Sequence, residues 1–143
     1  MTWHRGCGWA FLGLVLVSGL GAQSVFWTGG AATGNWGTAA NWDSDPALPL
    51  TTDVVGFDAT AANGQFNLTL GANRTVAGVV FAATGSDAFA FGAGNTLAVG
   101  ASGIVNNHAL TQTFAAPVTA AATSTWSTTG GGRQSAPITR RPT

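Results

Sequence analysis

The sequence predicts an all-β chain: a short parallel β-helix closed at its N-terminal end by a tryptophan- and glycine-rich cap. Three observations carry that expectation. The stretch 66–100 repeats about every 21 residues, so that Phe66, Leu68, Leu70 and Gly71 fall over Asp87, Phe89, Phe91 and Gly92. Apolar residues within each copy alternate and end in a small-residue turn, which is the period of a strand and not of a helix. Finally, 21 glycines, 7% charged residues and 45% hydrophobic residues suit strands joined by tight turns, where a disordered chain would be charged and poor in apolar side chains. A strand-only period in the low twenties is that of a solenoid rung. It stacks Leu70 on Phe91, Val76 on Leu97, Phe89 on Leu110 and Leu97 on Val118, giving about four rungs.

A chain of 143 residues has room for one domain with a modest core. Lys, Glu and Tyr are absent, and Arg74 is the one arginine between Gly6 and Gly132. A basic footprint for nucleic acid is therefore missing.

Residues 1–22 read as an export signal. His4 and Arg5 precede the apolar run from Trp9 to Val17, and small residues from Ser18 to Ala22 follow. The run is short for a bilayer span, which needs about 20 apolar residues. Cleavage is expected before Gln23 or Val25, and an uncleaved anchor is the alternative. Removal of the signal takes Cys7 with it, so thiol chemistry and disulfides are not expected of the mature chain.

Residues 23–50 form the cap. Trp27, Trp36 and Trp42 fall within sixteen residues, separated by Gly, Asn and Thr, a composition that disfavours helix and favours short strands and turns. Pro46 and Pro49 flank a loop. The first clear strand then runs from Asp53 to Asp58, opening a strand-repeat region over 51–130.

At this point the order of residues becomes specific. Trp27, Gly34-Asn35-Trp36, Asn41-Trp42, Pro46 and Asp53-Val54-Val55 with Phe57 are followed by Val76-Ala77-Gly78-Val79-Val80-Phe81 and Leu97-Ala98-Val99-Gly100. Together they resemble the opening of the autotransporter-associated β-strand repeat proteins, over about residues 25 to 132. The resemblance implies a right-handed parallel β-helix displayed outside a bacterial cell. Members of that family continue through many more repeats and often end in a membrane barrel or anchor. Here the composition changes after Gly132 to an Arg- and Pro-containing stretch unlike barrel strands. Residues 131–143 are expected to be a disordered tail, or the mark of a truncated or frameshifted gene.

The inventory of reactive groups points away from an enzyme, a cofactor or a metal. Beyond the signal, His108 is the single histidine, and no Gly-x-Ser-x-Gly elbow accompanies it. It reads as an exposed loop residue. The aspartate pairs 43/45 and 53/58 have the residue type for glycoside hydrolysis, but read as solvated loop carboxylates and strand-end caps. Asp43-Ser44-Asp45 begins like a calcium loop and lacks the glycine and distal acid that complete one.

The tryptophans remain as the candidate site, with two readings. Flat rings stack on sugars and neighbouring amides bond hydroxyls, so Trp27, Trp36, Trp42, Asn35, Asn41 and Asp43 have the make-up of a glycan platform. The same rings would also cover the core of a first rung that has no neighbour, which is the stronger reading. The expected function is accordingly a secreted or cell-surface structural module of adhesion type. Its partners would be surface glycans or other cell-surface proteins, with membrane contact only during export. The alternative is a carbohydrate-binding β-sandwich in which the strands pair antiparallel.

Overall fold

The computed structural model describes residues 24–129, together with the backbone pairing of 134–135 and 138–139. The expected export signal at 1–22 lies outside the described residues. One 3-10 turn, Ala39–Asn41, is the sole helical element among those described. The strands are β1 (Ser24–Trp27), β2 (Val54–Phe57), β3 (Asn67–Leu68), β4 (Arg74–Phe81), β5 (Ala90–Phe91) and β6 (Leu97–Asn106). They continue with β7 (Gln112–Phe114), β8 (Val118–Ala120), β9 (Trp126–Thr128), β10 (Gln134–Ser135) and β11 (Ile138–Thr139).

Every ladder between these strands is parallel, which excludes the antiparallel sandwich. The chain winds as a β-solenoid through three strand positions per turn. The first position stacks β1, β2, residues 78–81 of β4, residues 103–106 of β6, and β9. The second stacks β3, β5, β7 and β10, and the third stacks residues 74–76, residues 97–99, β8 and β11. About three full turns result, where four rungs were expected, with partial turns before and after. β10 and β11 extend the ladders of β7 and β8, so these four residues of the expected disordered tail are paired.

Parallel stacking at ~4.8 Å puts side chains of equivalent residues in columns. Val25, Val55, Val79, Ile104 and Trp126 form one inward column, and Trp27, Phe57, Phe81 and Asn106 another. Leu68, Phe91 and Phe114 form a third, and Val76 with Val99 a fourth. The core is thus an aromatic and β-branched stack running the length of the solenoid, with Phe57 and Phe81 at 5.4 Å and 24°. Between columns, outward positions hold small or uncharged residues such as Asn67, Ala90 and Thr113.

The expected pairings need correcting at most positions. Phe91 stacks on Leu68, not Leu70; Val76 on Val99, not Leu97; and Leu97 lies over Arg74. Leu110 does not enter the core and is 41% exposed. Only Leu97 with Val118 keeps the 21-residue spacing. The turns explain the difference. Gly71 and Gly94 both have positive φ, at 68° and 127°, whereas Gly92 does not. Equivalent turns are therefore 23 residues apart, and matching Gly71 with Gly92 shifts the register by two.

Candidate functional site

The tryptophan box lies at the N-terminal end of the solenoid and packs against its first full turn. β1 lies against β2 in register, and Asn35 makes a parallel bridge to Thr69, just past β3. Alternation along β1 points Val25 and Trp27 inward and leaves Phe26 exposed. Trp36 and Trp42 enter from the following loop. All three indoles are enclosed, at 0%, 1% and 2% exposure. Trp27 meets Trp42 edge to face at 5.1 Å, Trp36 meets Trp42 at 4.7 Å, and Phe57 covers the group from the next turn at about 6 Å. Each indole nitrogen of Trp27 and Trp42 donates to a carbonyl, of Gln65 at 3.1 Å and of Trp36 at 2.9 Å.

Asn41 is wholly buried and organises the loop. Its amide nitrogen donates to the carbonyls of Thr33 and Asn35, both at 2.9 Å, and to the Thr33 hydroxyl, while its oxygen accepts from the Ala31 amide. Asn35 is exposed, and its side-chain oxygen accepts from the Gly37 amide. Asp43 is exposed, and its carboxylate accepts from the Phe26 amide at 2.8 Å. Of the six platform residues, then, the three rings and Asn41 are interior, and only Asn35 and Asp43 face solvent. A ring with no free face cannot stack on a sugar, so this conformation offers no tryptophan platform.

Residues 41–43 also run antiparallel along β1 on the side away from β2. Thr28 N–H donates to the Asn41 carbonyl at 2.8 Å, and Asp43 N–H to the Phe26 carbonyl at 3.0 Å, around the bridge of Trp27 to Trp42. Arg74 completes the end of the core. It occupies the inward column of Leu97 and Val118 where the first turn supplies no strand, and its Nε donates to the Leu70 carbonyl at 3.0 Å. Gly37 leaves the room its guanidinium needs, since a Cβ there would stand 2.7 Å from an Arg74 nitrogen.

A second polar group was not foreseen. Asn106, His108 and Gln112 are buried where the first strand position turns into the second. His108, expected on an exposed loop, is 3% exposed. Leu110 N–H donates to its Nδ1 at 3.1 Å, which fixes the remaining proton on Nε2, facing the Gly85 carbonyl at 3.2 Å on the preceding turn. Gln112 accepts from Phe89 N–H at 2.7 Å and donates to the Leu110 carbonyl at 3.0 Å. These contacts tie one corner to the next, and none of them presents a nucleophile to a base.

The aspartates are likewise structural. Asp53, directly before β2, is 6% exposed and accepts from Leu50 N–H at 2.7 Å. Asp58 accepts from the hydroxyls of Thr84 and Thr60, and the Thr84 bond, then the Thr60 bond, hold its carboxyl below the ordinary aspartate range. Among the described residues, no three His, Cys, Asp or Glu side chains are grouped to hold a metal ion.

Comparison with protein-family models, curated proteins and solved structures finds no significant match to this chain. The class of molecule defined by the fold is a β-solenoid.

Proposed function

We propose that the chain is a structural module of adhesion type, displayed outside a bacterial cell as in the autotransporter-associated repeat proteins its sequence resembles. The observation that carries the reading is the stack itself: a largely apolar core running through the turns, with mostly small, uncharged residues at its outward positions. Such a stack gives an elongated surface on which partners are held by shape and by backbone-spaced polar groups. Surface glycans and other cell-surface proteins are the partners that suit it. The buried tryptophans favour this over a glycan platform. Among the described residues, no helix is long and apolar enough to cross a membrane. Protease shaving of intact cells producing the tagged full chain tests the location. Digestion of the tag in intact cells, with an N-terminus at Gln23 or Val25, is expected. A protected tag, digested only after lysis, with Met1 retained, overturns the proposal.

A further inference from the structure

An edge strand offers a row of unpaired N–H and C=O groups to any strand that approaches. On the side of β1 away from β2, residues 41–43 take both groups of Phe26 and the N–H of Thr28 just past the strand, while the Thr28 carbonyl accepts from the Asn63 side-chain amide. The occupant differs from every other neighbour in the stack. It runs antiparallel, spans a single bridge, follows the 3-10 turn Ala39–Asn41, and gives Phe26 N–H a side-chain carboxylate in place of a carbonyl. Asp43 is thus an exposed residue holding both halves of one strand position, donating to Phe26 O and accepting from Phe26 N.

We infer that residues 41–43 are an intramolecular latch that denies the β1 edge to a second copy of this chain. The opposite end of the same solenoid is the natural occupant of an opened edge, because its strands run in the same direction with the same rung spacing as β1 and β2. β9 is the outermost described member of the first strand position, the one that β1 opens. Joining that end to an unlatched β1 is a heterologous contact, and repeated it yields an open filament. The inference concerns the edge alone and holds wherever the protein resides.

The test is a series at one position in the full chain, read by sedimentation velocity with circular dichroism as the check on folding. Asp43→Asn keeps an acceptor and an N–H, and is expected to stay monomeric like the parent. Asp43→Ala removes the acceptor, and Asp43→Pro removes both groups. These two are expected to retain a β spectrum and to sediment as oligomers that grow with concentration. On this inference the parent keeps β1 latched and pairs only through its opposite end, so it should add once to an Asp43→Pro chain and stop its growth. Titrating parent into the variant is therefore expected to shorten the oligomers. Folded but monomeric Asp43→Ala and Asp43→Pro, oligomers that parent protein does not shorten, or failure of both variants to fold would each overturn the latch.

Discussion

The rings of Phe91 and Phe114 lie face to face, with centroids 4.5 Å apart and planes 9° from parallel. They are register partners in β5 and β7, so the stacking follows from the ladder. Replacing either with alanine is expected to cost about 3–5 kcal/mol, the range for large aromatic truncations in a core. A double-mutant cycle isolates the ring contact, for which about 0.5–1.5 kcal/mol is expected. Urea unfolding of the four proteins measures both, and zero coupling would show that the rings merely fill space.

Trp42 belongs to the latch and to the core at once. Trp42→Ala should destabilise by about 3–5 kcal/mol. Trp42→Phe keeps most of the apolar contact but leaves the buried Trp36 carbonyl without its donor, and about 1–3 kcal/mol is expected. Chemical denaturation checks both. An alanine variant with unchanged stability that no longer binds a polysaccharide column would restore the platform reading.

Much of the fold was legible because alternation survives error. A two-residue slip in register leaves every side chain on its own face. Leu68, Leu70, Phe89 and Phe91 were therefore read as inward correctly, although their partners were not. Which glycine turns the chain was not legible, since Gly92 and Gly94 are alike in sequence and differ only in φ. Asn106 and His108 were missed for another reason. Polar residues read as loop unless their mutual bonds are known, and here Asn106 continues the column of Phe57 and Phe81 while its side-chain oxygen accepts from His108 N–H. The tryptophan box was visible as an end structure. Its use of Asp43 as a strand surrogate depends on a backbone approach that no spacing announces.

Gly64 and Gly103 separate backbone strain from crowding. Both have positive φ, at 73° and 66°, but a Cβ on Gly64 meets nothing within 4 Å, while on Gly103 it would collide with the Thr125 carbonyl. Gly64→Ala is expected to cost about 1–2 kcal/mol, the left-handed penalty alone. Gly103→Ala must also push the last described turn away and should cost clearly more. Thermal unfolding compares them, and equal losses would mean that the 103–125 contact yields freely.

Asp58 and Thr84 give the chain a definite acid response. The Thr84 hydroxyl, 2.6 Å from the carboxylate, is the main cause of the lowered Asp58 pKa, followed by Thr60 at 2.7 Å, while burial opposes them. A carboxyl titrating lower in the folded chain than in the unfolded one stabilises the fold above the ordinary aspartate pKa. That contribution is lost as pH falls through the depressed value. Asp58→Asn should therefore be less stable than the parent at neutral pH, with the gap closing on acidification. Thr84→Val removes the largest cause, moves the carboxyl back toward its ordinary value, and should narrow the same gap from the neutral side. Asp58 is only partly buried, so the effect is small and belongs to the tie between two successive turns rather than to the core. Urea midpoints followed from neutral to strongly acid pH measure it. A parent-minus-Asp58→Asn difference that does not change with pH would show that the Thr84 bond stabilises the corner without favouring the charged form.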